Sequence, residues 1–398
     1  MYVLQNNVEI ISGARNYCIY NLNTKKLYNL TPDYMERIRK ILDSNSESSD
    51  NLEVIKDYLL AEGIIVKEEG LVEKLTSFEN LVHPEFAWIE ITQNCNLLCR
   101  HCYEGSSRSI EKPYMSMSDF VIAVEYLAGI GVSRIQLVGG EPIIHPKIKE
   151  MITIASDRFS SVEIFTNGTL LSDNLIKVIR DNGVSLAFSV YAKDPALHDK
   201  VTRTKGSYHL TSSTIAKVLS MGINVRIASV EMVDVPKFDL SDFAVEHRTD
   251  FPRLTGRASL SLYTDDMLRR KLITKKTFSK PLDPIQYSKN RVMHNCFGEL
   301  LYIDCDLNVF PCAMERRVSY GNLRTSSTIE ESYSRFSRIN KDKIEGCRDC
   351  EYRYACYDCR PDCNHTAFES KPWFCTYDQE NGVWIDTDKF IALLRSEL

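Results

Sequence analysis

The sequence predicts an α/β chain. We expect a partial (β/α)6 TIM-like barrel with a small winged-helix domain before it and a cysteine-rich domain after it. Three observations carry this. From Phe86 onward, short apolar strands alternate with helical runs. Ahead of residue 75 the order is instead a group of strands followed by helices. Beyond residue 293 regular periodicity gives way to turns and cysteines.

At 398 residues the chain exceeds a single core, so several domains are expected. Its 43% hydrophobic and 26% charged residues suit a globular protein. A net charge of −5 gives no reason to expect nucleic acid or an acidic membrane as partner. No run approaches the ~20 apolar residues of a membrane-spanning helix. The opening MYVLQNNVEI lacks the order of a secretion signal, so a cytoplasmic location is expected.

In chain order, residues 1–75 form the first unit. VEIISGA, NYCIYNL and KKLYNL read as strands, and Thr31-Pro32 opens a helix with Thr as cap and Pro at the first helical position. Asp50 and Glu53 give a second helix a capping-box-like start, Gly63 stops it, and IIVKEE returns as a strand. Residues 84–235 follow as the barrel. Its strands are FAWIEIT, RIQLVGG, SVEIFTNG, VSLAFSV and INVRIASVEM, with helices near 118–128, 146–157, 172–182 and 210–221. Functional residues on such sheets gather at the C-terminal strand ends. TQNCNLLC, GGEP, TNG and SVYA all fall there. Residues 236–292 complete the barrel without clear periodicity. Residues 293–380 are the cysteine-rich domain, and 381–398 a C-terminal helix.

Thirteen cysteines are unusual for a chain kept in a reducing compartment, and an odd count suits a disulfide framework badly. Metal binding is the better reading. Cys95-x3-Cys99-x2-Cys102 places three thiols on one loop after the first barrel strand. Three thiolates can hold three irons of a [4Fe–4S] cluster and leave the fourth open for a ligand. A zinc ion completed by His101 or a distant residue is the alternative. Gly139 and Gly140 let the backbone approach a ligand, and Glu141 can accept a hydrogen bond from an ammonium group. Cys18, within an apolar strand, reads as a packing residue.

CxxxCxxC followed by Tyr103 resembles the signature of radical S-adenosylmethionine enzymes, over about residues 86–235. The resemblance implies that S-adenosylmethionine chelates the open iron and is cleaved to a 5′-deoxyadenosyl radical. It further implies that Gly139, Gly140 and Glu141 contact the methionine amino group. Thr166, Asn167 and Ser189 would meet the ribose and carboxylate, Arg203 would pair with the carboxylate, and Tyr103 would pack on the adenine. The C-terminal cysteines, C347-x2-C350-x5-C356 with a later Cys375, resemble a SPASM domain carrying auxiliary [4Fe–4S] clusters. The implied allocation gives one cluster Cys296, Cys305, Cys312 and Cys359, and the other Cys347, Cys350, Cys356 and Cys375. Cys363 competes with Cys359, and whether Cys305 is a ligand stays open. The family glycine before Cys312 is Leu307 here.

Residues 1–75 resemble the winged domain that binds leader sequences in enzymes modifying ribosomal peptides, and an exposed strand edge of this unit could take an extended peptide as an added strand. The expected function is therefore a radical peptide maturase installing a crosslink or thioether. Its partners would be a precursor peptide and an electron donor such as flavodoxin or ferredoxin. YRYACYDCRP faintly resembles maturases that work beside an ATP-grasp ligase. Rival readings are a sulfatase-maturing enzyme, which places an Asp where Ala313 stands, and a zinc-binding winged-helix regulator. No general base is identified, and Asp304 and Asp306 are candidates by position alone.

Overall fold

The computed structural model describes residues 2–43, 50–74, 83–106, 114–235, 237–239, 245–293, 297–325, 327–359, 362 and 367–396. Cys296 and Cys363 lie outside the described residues.

The N-terminal unit holds β1 (Tyr2–Leu4), β2 (Val8–Ser12), β3 (Tyr17–Asn21), β4 (Lys26–Leu30), α1 (Pro32–Leu42), α2 (Asp50–Ala61) and β5 (Ile65–Lys67). β2, β3 and β4 make an antiparallel meander. The returning strand β5 does not join it, pairing instead with β1, which the sequence did not announce. Thr31 sits at the cap position of α1, yet its side chain makes no capping hydrogen bond. The helices bury Met35, Ile38 and Leu59 against Val8 and Ile19.

The barrel begins with β6 (Phe86–Thr92) and continues through α3 (Met117–Gly129), β7 (Arg134–Gly139), α4 (Ile148–Arg158), β8 (Ser161–Thr166), α5 (Asp173–Asp181) and β9 (Ser185–Ser189). It proceeds to α6 (Pro195–Thr202), α7 (Ser207–Ser220), β10 (Val225–Val230) and β11 (Glu246–Asp250). The six strands are parallel and adjacent in chain order. Residues alternate in facing along each strand. Ala87, Ile89 and Ile91 of β6 join the helix-covered core with Phe120, Leu127 and Ile152. The other face carries polar side chains. Trp88 donates to Gln136 at 2.9 Å, Gln136 bonds Glu163, and Arg226 donates to Glu163 at 2.7 Å. One hydrogen-bonded row thus crosses β6, β7, β8 and β10.

The cysteine-rich segment does not stand apart from this sheet. β12 (Leu300–Ile303) pairs in parallel with β6, and β13 (Asn308–Phe310) and β14 (Gly321–Asn322) extend the sheet to nine strands. Leu307 takes the left-handed turn before β13 with φ +67°, where a glycine would carry no penalty, while its side chain is buried in the barrel core. A helix at Thr387–Ser396 closes the described chain. No helix among the described residues is long and apolar enough to cross a membrane.

Candidate active site

The loop after β6 is fixed from three sides. Leu98 and Arg100 donate backbone hydrogen bonds to Thr202 and Val201 at the end of α6, at 3.1 and 3.0 Å. Arg257 donates to the carbonyls of Cys99 at 2.9 Å and Ser106 at 2.6 Å, and its backbone N–H reaches Cys102 at 3.0 Å. A Cβ on Gly256 would lie 2.3 Å from the Cys102 carbonyl oxygen, so only glycine lets this segment cross the loop. The Tyr191 hydroxyl bonds the Cys99 thiol, and its ring meets His101 at 4.6 Å. Burial, followed by the Glu141 carboxylate, pushes the Cys95 thiol up to about 12, with Cys99 and Cys102 adding to the effect. Burial does the same to Cys99, with Cys102 next. Cys95 and Cys99 thus resist losing their protons, and the three thiols are electrostatic neighbours.

The glycines of GGEP are also required by the packing of the chain itself. A Cβ on Gly139 would meet the Thr92 carbonyl oxygen at 2.0 Å, and one on Gly140 the Asn94 carbonyl oxygen at 2.2 Å. The close approach is therefore to the protein's own backbone leading into Cys95. Gly140 and Glu141 donate to those same two carbonyls at 2.8 Å. Glu141 is buried and accepts hydrogen bonds from Ile143 N–H at 3.1 Å, Thr166 hydroxyl at 2.7 Å and Asn167 N–H at 2.7 Å. Burial raises it to about 7 despite these donors.

Asn167 in turn donates to Asn96 at 2.9 Å, and Asn96 to Thr169 at 2.8 Å. GGEP, TNG and the cysteine loop are one hydrogen-bonded assembly at the C-terminal strand ends. Ser189 bonds Tyr191, and so stands one step from Cys99. Tyr103 packs beside Val138, Tyr302 and Ala313. Arg203 is exposed in a left-handed conformation, φ +52°, capping α6 next to the Thr202 carbonyl that holds the loop.

Toward the C-terminal domain the lumen carries charge that the sequence reading overlooked. Glu90 is buried; Tyr302 and Arg316 reach it and Glu104, with Arg316 3.6 Å from Glu90 and its guanidinium 4.0 Å over the Tyr302 ring. Burial and then the neighbouring Glu90 charge hold Glu104 above the usual carboxylate range. A carboxylate inside the apolar strand FAWIEIT was the available signal for Glu90. Arg257 and Gly256 had none, because only the folded chain brings them to the loop.

Among the C-terminal cysteines, burial leads in raising both Cys356 and Cys350. Cys375 and Cys347 also act on Cys356, and Cys356 and Cys375 on Cys350. These four thiols therefore share one neighbourhood. Cys305 instead donates to the Glu90 carbonyl at 3.2 Å, Cys312 is buried near Ala313, and Cys359 lies beside Arg253, Asp362 and Lys271. Among the described residues no three His, Cys, Asp or Glu side chains converge tightly enough to hold a single metal ion. Three thiols on one loop suit a cluster, in which each thiolate takes its own iron. Asp304 is occupied in the hairpin turn, accepting from Asp306 and Asn308 N–H groups at 3.0 and 2.8 Å, and Asp306 is exposed. Cys18 is fully buried.

Residues 89–246 match the model of the radical SAM superfamily. The antilisterial bacteriocin subtilosin biosynthesis protein AlbA of Bacillus subtilis (strain 168) is 28% identical over 219 residues, 54% of this chain and 45% of that protein. The sporulation killing factor maturation protein SkfB of the same organism is 32% identical over 149 residues, 36% of this chain and 35% of that one. The matches thus span less than half the length of these two relatives. Among solved structures, Streptococcus suis SuiB bound to precursor peptide SuiA aligns with a TM-score of 0.55 at 13% identity, over 91% of this chain and 96% of that one. At that identity the likeness is one of fold.

Proposed function

Residues 89–246 are a radical S-adenosylmethionine domain, and from that premise we propose that the protein is a maturase of ribosomally made peptides. Cys95, Cys99 and Cys102 would hold three irons of a four-iron cluster. Gly139–Glu141, Thr166, Asn167 and Ser189 would line the place of S-adenosylmethionine, with Tyr103 for the adenine and Arg203 for the carboxylate. Bound there, the two groups would supply a 5′-deoxyadenosyl radical able to take a hydrogen atom from a peptide. The chain's own residues fix the loop, exclude water and hold the substrate.

The observation that carries an oxidative outcome is the parallel pairing of β12 with β6. It puts Cys305 against Glu90, and Arg316 from the same segment against Glu104, two residues past Cys102. This supports a reading in which auxiliary iron–sulfur groups of the C-terminal domain would take an electron from the substrate radical. A flavodoxin or ferredoxin supplies the reducing electron, and an ATP-grasp ligase acts on the same peptide. The names of AlbA and SkfB, which refer to a bacteriocin and a killing factor, support a peptide substrate. Ala313, buried and apolar, offers no proton acceptor for sulfatase maturation.

The N-terminal unit is the leader-binding domain. Among the described residues β4 pairs on one side only, with β3, which supports strand addition at its edge. Hydrogen exchange tests this. The amides of Lys26–Leu30 slow when precursor peptide is added, and unchanged exchange contradicts it. The function as a whole is tested by producing the protein together with each short peptide encoded beside its gene. Mass spectrometry then looks for a loss of hydrogen from one peptide that depends on Cys99.

A further inference from the structure

The N-terminal unit touches the auxiliary cysteines far more closely than a tethered recognition module requires. The Tyr20 hydroxyl donates to the Glu351 carbonyl at 2.8 Å, and Asn29 donates to the Glu351 carboxylate at 3.1 Å. Glu351 adjoins Cys350 and is fully buried. Its second carboxylate oxygen has no hydrogen-bond partner among the described residues. Ala14 N–H donates to the Asp349 carbonyl at 2.8 Å. One nitrogen of Arg353 donates both to the Ser12 carbonyl at 2.8 Å and to the Cys350 carbonyl at 2.9 Å.

The turn between β2 and β3 makes the tightest contact. A Cβ on Gly13 would lie 2.3 Å from the Glu351 carboxylate, 2.9 Å from the Glu351 nitrogen and 3.2 Å from the Asp349 carbonyl oxygen. The carboxylate end of a side chain can turn away, but the two backbone atoms cannot. Ile11, Cys18, Tyr20 and Leu22 complete a core with Tyr352, Tyr354 and Tyr377, against which Cys350 and Cys375 pack.

We propose that the N-terminal unit forms one wall of the iron–sulfur site of Cys347, Cys350, Cys356 and Cys375, and that Gly13, Tyr20 and Asn29 are positioning residues for the Cys350 loop. This rests on the reading that those four thiols hold a cluster. The wall keeps water from two of the four thiolates. A four-thiolate cluster is more negatively charged when reduced, so water favours its reduced form and exclusion of water lowers its reduction potential. Loosening the wall must therefore raise the midpoint potential and open the irons to attack.

The experiment uses the anaerobically reconstituted full chain, with Gly13→Ala and Asn29→Ala. Redox titration followed by electron paramagnetic resonance reads each cluster's midpoint, and a ferrous chelator reads the rate of iron release. The proposal expects a raised auxiliary midpoint and severalfold faster release of auxiliary iron, with the radical cluster unmoved. Folded variants that match the wild type in both readings overturn it. If Gly13→Ala does not fold, Asn29→Ala, which only removes atoms, decides on the same two readings. A wild-type protein without the auxiliary signal, or a Cys350→Ala protein that keeps it in full, overturns the cluster reading and the wall with it.

Discussion

The hydroxyl of Thr166 donates to the Glu141 carboxylate at 2.7 Å, so one buried side chain ties the end of β8 to the end of β7. The unfolded Glu141 loses its proton near 4.5 and the folded one near about 7. Between those values the folded state binds the extra proton, so its stability falls as pH rises through the window. Denaturant unfolding of the metal-free protein at about pH 5 and about pH 8 checks this. The wild type is expected to lose stability across that range, and Glu141→Gln to lack this share of the loss. An equal slope in both proteins counts against the assignment.

Leu307 sets two effects against each other. Its left-handed backbone costs about 1–2 kcal/mol that glycine would avoid. Its side chain is 1% exposed, and removing a buried leucine costs about 2–5 kcal/mol. Packing wins, so Leu307→Gly is expected to lower stability, read as an earlier denaturant midpoint. A stabilised variant would show that the turn, and not the core, governs this position.

Cys350→Ala is expected to lose about four irons per chain, the content of one cluster. Peptide product should disappear while some 5′-deoxyadenosine is still formed, because this thiol lies outside the loop of Cys95, Cys99 and Cys102. The C-terminal segment should also become more sensitive to proteolysis, because a cluster bound there would add its binding energy to the fold. Normal product yield from this variant would remove Cys350 from the ligand set.

Much of this was legible in the sequence because the barrel repeats a local rule. Apolar strands such as RIQLVGG and helices ended by Gly183 and Gly222 announce themselves residue by residue, and the cysteine spacing names its own chemistry. What stayed hidden depends on contacts between distant segments. The partner of β6 at Leu300–Ile303 lies more than two hundred positions along the chain. Arg257 and Gly256 reach the cysteine loop only through the fold. The sequence singles out Gly139 and Gly140 for close backbone approach to a ligand, and the structure adds a close approach within the chain. The atoms approached are Thr92 and Asn94 of the chain itself. Asp304, a candidate base by position beside Cys305, has its carboxylate committed to a turn.

The central claim is that the loop of Cys95, Cys99 and Cys102 generates a radical from S-adenosylmethionine. The most direct measurement is 5′-deoxyadenosine formed by the anaerobically reconstituted protein with S-adenosylmethionine and a strong reductant, run beside Cys99→Ala. The loop has no spare cysteine, so one missing thiolate removes the open cluster. The account predicts 5′-deoxyadenosine from the wild type and none from Cys99→Ala. Equal amounts from both, or none from a wild-type protein carrying its full iron, would contradict it.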